Sequence, residues 1–139
     1  MQTLPLRLLP GQDVRAALQA VLAAQRIEAA FVLQGIGSLS VAQLRLAGAS
    51  QATEWRGDLE ILTLAGSLSP DGPHLHMSIA DAGGRVRGGH VAAGCIVRTT
   101  AEVLLALLPA HRFSREADPA SGFGELVVRP RTAAQGEAP

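Results

Sequence analysis

The sequence predicts a single α/β domain of the α+β type, with a mostly antiparallel or mixed central sheet of about seven or eight strands and two helices. A length of 139 residues fits one domain of ordinary size. Short β-type runs outnumber helical patterns. The turn-forming segments 69–73 and 81–84 join successive runs, as is typical of hairpins. We expect the domain to span residues 1–128 and residues 129–139 to form a disordered tail.

Two segments carry helical signals. From Asp13 to Gln25, apolar residues follow the i, i+4, i+7, i+8 spacing of an amphipathic helix, and Asp13 is a suitable N-cap. Thr99 and Glu102 fit a Thr-x-x-Glu capping box, which predicts a second helix ending near Leu108.

The other regular segments have the length and composition of strands. In chain order, the expected strands are 3–9, 29–36, 39–46, 59–68, 74–80, 85–91, 94–99 and 125–128. Residues 47–54 are small and polar and predict a loop. Because two helices cover only part of such a Leu-rich sheet, we expect the chain to form a homo-oligomer.

Composition narrows the function classes. Acidic and basic residues balance at 12 each, so the basic excess typical of nucleic-acid-binding domains is missing. Cys95 is the single cysteine, which excludes an intrachain disulfide. No signal peptide is recognisable, and no apolar run reaches the ~20 residues of a membrane helix. These features predict a cytoplasmic protein that does not bind membranes.

Three of the four histidines lie close together in the sequence. His74 and His76 alternate on one strand and therefore share a face, while His90 follows two glycines on the next strand. Neutral imidazole is a good zinc ligand, and three protein ligands with one open position are typical of catalytic zinc. The sequence thus offers His74, His76 and His90 as a divalent-metal site, with a polar sheet surface as the alternative.

The loop of the hairpin decides whether His90 joins the other two. A three-residue loop, 82–84, pairs Asp81 with Arg85 and places His76 opposite His90, with Gly84 in the left-handed position. A two-residue loop would place His90 opposite Leu75 on the other face. A bulge at the glycine pair 88–89 would shift the register again.

Other candidates have weaker signals. Glu60 alternates with apolar neighbours and is the one acid that we nominate as a catalytic proton carrier. We interpret Glu102 as a partner in a helix cap. We interpret the charged residues around His111 as a solvated surface. The segment 35–38 resembles a phosphate-binding glycine loop, but no helical pattern follows it. Arg129-Pro130-Arg131 lacks the Gly-Arg-Pro centre of an AT-hook.

Several motifs in order resemble the plants-and-prokaryotes conserved (PPC) domain in its stand-alone bacterial form. The resemblance covers about residues 5–128 and is carried by segments 9–14, 35–40, 57–62, 64–67, 74–79, 84–85, 88–90, 99–103 and 122–126. It implies an antiparallel-rich α/β domain assembled as a homotrimer. It also implies a zinc site at His74, His76 and His90, which match the family's histidine pattern.

The resemblance also bears on partners. Prokaryotic members often carry a provisional DNA-binding label, whereas plant members contact DNA through a separate AT-hook. In plants a segment similar to 57–62 is linked to partner binding, but Asp58 and Leu59 depart from the plant Arg-Phe there. The departure argues against partner binding through this segment, and the missing AT-hook and basic excess give the DNA-binding label no support.

Three functions follow, in this order. The first is an oligomeric binding or regulatory protein whose histidines hold a metal or a small-molecule ligand. The second is an enzyme in which zinc activates a water molecule. The third is direct DNA binding through arginine patches such as Arg85 with Arg87.

Overall fold

Strands dominate the fold of residues 2–131, the part of the chain that our computed structural model describes. The one helix in this part is α1 (Val14–Ala24). The strands are β1 (Gln2–Leu8), β2 (Ala30–Arg45), β3 (Thr53–Ser69), β4 (Gly72–Ala80), β5 (Val86–Val91), β6 (Ile96–Leu107), β7 (His111–Ala117) and β8 (Gly124–Pro130). All of their pairings are antiparallel, which confirms the predicted fold class. Within the same residues, no helix is long and apolar enough to cross a membrane.

The main sheet has six strands in the order β1-β6-β2-β3-β4-β5. Strand β5 also pairs with the end of β2, where Leu44 lies opposite Val91 and Arg45 opposite His90. Strands β2, β3, β4 and β5 therefore form a closed set, in which each strand pairs with two of the other three. Within this set, His90 of β5 pairs with residues of both β4 and β2.

Helix α1 covers one face of the sheet and confirms the first predicted helix. The Asp13 carboxylate caps it by accepting a hydrogen bond from the Ala16 N–H at 2.9 Å. Val14, Leu18 and Leu22 are buried one turn apart. Along β4, buried Leu75, Met77 and Ile79 alternate with the two histidines, so the histidines lie on the face opposite this core.

The second predicted helix is wrong, because residues 96–107 form β6 between β1 and β2. Ala101, Val103 and Leu105 are buried with the period of a strand. The Thr99 hydroxyl bonds to the Ser38 hydroxyl at 2.6 Å instead of capping a helix. Hydrogen bonds to two flanking strands outweigh a local capping signal worth about 1 kcal/mol.

The glycine segment 35–38 does not end a strand. The two strands predicted at 29–36 and 39–46 are one long strand, β2. A Cβ at Gly37, where φ is 141°, would lie 2.3 Å from the Thr100 carbonyl oxygen on β6. Glycine thus permits close approach of two backbones here, and the phosphate-loop alternative has no structural counterpart.

Strands β7 and β8 form a separate hairpin. The sequence predicted a solvated surface around His111, and β7 was not predicted. Phe113 anchors this hairpin by an edge-to-face contact with Phe31 on β2, with ring centroids 5.4 Å apart. Strand β8 continues beyond Val128 to Pro130, and residues 132–139 of the predicted tail lie outside the described residues.

Candidate metal centre

The β4–β5 hairpin has the register that a three-residue loop predicts. His76 lies directly opposite His90. The Asp81 N–H donates to the Arg85 carbonyl at 3.1 Å, and Gly84 has a φ of 75°. Because side chains alternate along both strands, this register directs all three rings to one face.

Asp81 holds the turn in place. One carboxylate oxygen accepts from the Gly83 and Arg85 N–H groups at 2.9 and 3.0 Å. The other accepts from the Arg85 and Arg87 guanidinium groups at 2.9 and 3.0 Å. The bond from Arg87 above all keeps the pKa of Asp81 far below its ordinary value. The turn therefore stays locked across the pH range in which histidines titrate.

The three rings form a compact cluster. Ring centroids lie 5.2 Å apart for His74 and His76, 5.1 Å for His74 and His90, and 5.7 Å for His76 and His90. One ring nitrogen from each residue can be chosen so that all three lie within 4.8 Å of one another. Nitrogens on a tetrahedral zinc ion lie about 3.4 Å apart, so the three nitrogens would have to move closer together to hold one ion.

His90 provides the test of whether an ion fits. Its Nδ1 atom is buried and has no hydrogen-bond partner among the described residues. Burial, followed by the charges of His74, Arg45 and Arg15, lowers the pKa of His90 to about 4. The ring is therefore neutral at pH 7 and presents an unsatisfied lone pair or N–H. A metal ion would satisfy this nitrogen in the tautomer that leaves its lone pair free, whereas an isolated buried nitrogen is unfavourable.

His74 is also held in its neutral form. Burial, then the nearby Arg115, lowers its pKa below the ordinary value, while Glu125 acts in the opposite direction. Protonation therefore competes with a metal at His74 and His90 only below the pH at which an ordinary histidine titrates.

Two open cavities border the histidines. The larger has a volume of about 910 Å³ and is lined by His74, His90, Glu125 and the three arginines Arg15, Arg45 and Arg115. The smaller, about 440 Å³, reaches His74, His76, Arg115 and Glu125. The β7–β8 hairpin thus supplies charged walls to a site whose ring nitrogens come from β4 and β5.

The structure does not bring the nominated acid to the histidines. Glu60 is exposed on β3 opposite Ala80, four residues along β4 from His76. At ~3.3 Å of rise per residue, this separation is about 13 Å. The carboxylate near His74 is Glu125 instead. Sequence reasoning missed Glu125 and Arg115, because only the docking of a hairpin distant in sequence brings them there.

Comparison with known proteins decides the family. The sequence profile of the Plants and Prokaryotes Conserved (PCC) domain matches residues 1–109. The chain belongs to the PCC domain family. The motifs indicated the same family, and the matched residues of this PCC chain include all three clustered histidines.

Relatives of this PCC chain include longer proteins. A relative from Synechococcus sp. (strain JA-2-3B'a(2-13)), named Bifunctional protein GlmU, is 51% identical over 126 residues, covering 91% of this chain and 20% of the relative. The chain spans about a fifth of the length of the curated relatives it matches.

Solved structures share the PCC fold. A hypothetical protein from Salmonella cholerae-suis has a TM-score of 0.91 and 40% identity, covering 94% of this chain and 95% of that one. A protein from Archaeoglobus fulgidus, described as metal-containing, has a TM-score of 0.76 and 24% identity, covering 91% of this chain and 94% of that one. The second likeness shows the fold alone.

Proposed function

We propose that this PCC domain is a metal-binding module in which His74, His76 and His90 hold a divalent ion, with zinc as the first choice. The observation that carries the proposal is that one ring nitrogen from each of the three histidines can lie within 4.8 Å of the others, and the buried Nδ1 of His90 has no hydrogen-bond partner among the described residues. The metal-containing Archaeoglobus neighbour supports it. The single, buried Cys95 is consistent with a reducing compartment, and we place the protein in the cytoplasm.

The chain's own residues brace the ligands. Arg15 of α1 donates from Nη1 to the carbonyls of Pro73 and Val91 at 2.8 and 2.9 Å, next to His74 and His90 in sequence. This bridge ties the ends of β4 and β5 to the helix. Bound zinc would supply positive charge and one further coordination position for a ligand.

Metal content tests the proposal directly. Protein purified without a nickel column is expected to carry about one zinc per chain by elemental analysis, or to take it up when a chelator-stripped sample is titrated. A preparation that is free of metal and shows no heat of binding on titration with zinc would contradict it.

We also propose that the module works as a homo-oligomer, with a trimer expected from the family resemblance. On β2 and β6, Ile36 and Leu104 leave 47% and 36% of their surface exposed. Leu6 and Val103 line the same groove of about 630 Å³. Exposed apolar surface of this kind favours association.

The mass of the assembly checks this second proposal. Light scattering is expected to give a multiple of 14.4 kDa, and Ile36→Asp is expected to lower it. A wild-type mass near 14.4 kDa at micromolar concentration would contradict self-association.

A zinc-dependent enzyme acting on a small molecule is the second candidate function. Glu125 favours it, because a carboxylate facing the same cavity as His74 and His90 is a typical proton carrier. Direct DNA binding ranks last. Arg85 and Arg87, the patch that the sequence offered for it, both form ion pairs with Asp81.

A further inference from the structure

The larger cavity beside the histidines is rich in unpaired positive charge. Within residues 2–131, seven arginines form ion pairs with carboxylates and five do not. Arg7 and Arg26 are two of the five, and the other three, Arg15, Arg45 and Arg115, all line this one cavity. Guanidinium groups are the preferred partners of carboxylates and phosphates. Their convergence therefore indicates an anionic ligand.

The acidic residues of the cavity do not cancel this charge. Asp71 and Glu125 are the two acids among its lining residues. The Asp71 carboxylate already accepts a hydrogen bond from the Arg115 backbone N–H at 2.8 Å. Three arginines outnumber the two acids, and a divalent ion on the histidines would add two further positive charges.

Each arginine is positioned next to a histidine of the cluster. Arg45 lies opposite His90 on the paired strands β2 and β5. Arg115 donates from Nη2 to the Ser67 hydroxyl at 2.7 Å, and Ser67 lies opposite His74. Arg15 uses only Nη1 in its two bonds to the neighbouring carbonyls, so its other N–H groups remain available to a ligand.

On this basis, and resting on the proposed metal site, we infer that the cavity binds a small organic anion. Its carboxylate or phosphate group would be held by the three arginines, beside the histidines that line the same cavity. The cavity volume of about 910 Å³ leaves room for an organic body beyond the charged group. Phe123, Gly48 and Ala49 provide an apolar wall for that body.

Calorimetry on the zinc-loaded protein tests the inference, with inorganic phosphate and succinate as separate probes in chloride buffer of constant ionic strength. We expect at least one probe to bind and Arg45→Gln to weaken that binding about tenfold, as expected for one lost charge-assisted contact. Comparison of the two probes shows whether the cavity prefers a phosphate or a carboxylate group. Arg45 is a suitable residue to replace, because the hydrogen bond that it donates to the Ala49 carbonyl is long, at 3.4 Å, and its loss should cost the fold little.

Arg26→Gln is the matched control, since Arg26 is exposed and is not among the lining residues of this cavity. The control should keep the zinc affinity of the wild type, and Arg45→Gln should not weaken it, because the substitution removes positive charge beside His90. Equal weakening by the two variants, or a zinc-loaded wild type that binds neither probe, would overturn this inference and leave the metal proposal intact. A wild type that takes up no metal would overturn both.

Discussion

Replacing His90 by alanine is expected to weaken zinc binding by at least about a hundredfold, because removal of one of three protein ligands costs more than the 10–100-fold typical of losing a supporting contact. The other two histidines should give losses of the same order. Competition with a chromophoric chelator measures the affinities. Zinc at about 100 times its Kd should also stabilise the wild type by about 2.7 kcal/mol against unfolding, and at the same zinc concentration this gain should fall to about 0.4 kcal/mol or less in the variants.

His111→Ala is the control for these variants. His111 is exposed on β7 and is not part of the cluster, so its replacement should leave zinc affinity unchanged. If the His90 and His111 variants bind zinc equally well, the cluster is a polar sheet surface and not a metal site.

Gly66→Ala is expected to lower the free energy of unfolding by more than about 4 kcal/mol, a loss that few single substitutions reach. Gly66 has a φ of 147°, and a Cβ there would lie 2.0 Å from the His74 carbonyl oxygen and 2.8 Å from the Leu75 Cα. Both are backbone atoms of β4, so no flexible side chain can move aside. Urea denaturation measures the loss, and soluble yield reports a variant that fails to fold.

Gly72→Ala separates backbone strain from steric conflict. Gly72 also has a positive φ, 118°, but a Cβ there would meet nothing within 4 Å. We expect this control to cost about 1–3 kcal/mol, the range for a strained backbone conformation. If the two variants unfold at the same urea concentration, close approach of β3 to β4 does not explain the glycine at position 66.

Local signals predicted the parts of the fold that depend on neighbouring residues. The hairpin joining β4 and β5 is one example, because a three-residue loop with no bulge at Gly88 or Gly89 places His76 opposite His90. Helix α1 is another, since its cap and apolar stripe lie within one short segment. The capping signal at Thr99 failed because pairing with β1 and β2, far away in sequence, determines the structure there.

The candidate site also has a part that was predictable from local sequence and a part that was not. Its ring nitrogens were predictable, because they come from one hairpin with a recognisable turn. Its charged walls were not, because Arg115 and Glu125 arrive on β7 and β8, and β7 carries a single buried apolar residue, Phe113. Arg15 and Arg45 gave no signal either, since their role depends on helix docking and on the pairing of β2 with β5.

The hairpin that Asp81 locks carries every proposed metal ligand within residues 74–90. Bringing these ligands together closes only a short loop, so little chain entropy is lost in forming the site. All of the donor atoms are thus contiguous in the sequence, whereas the arginines beside them come from α1, β2 and β7.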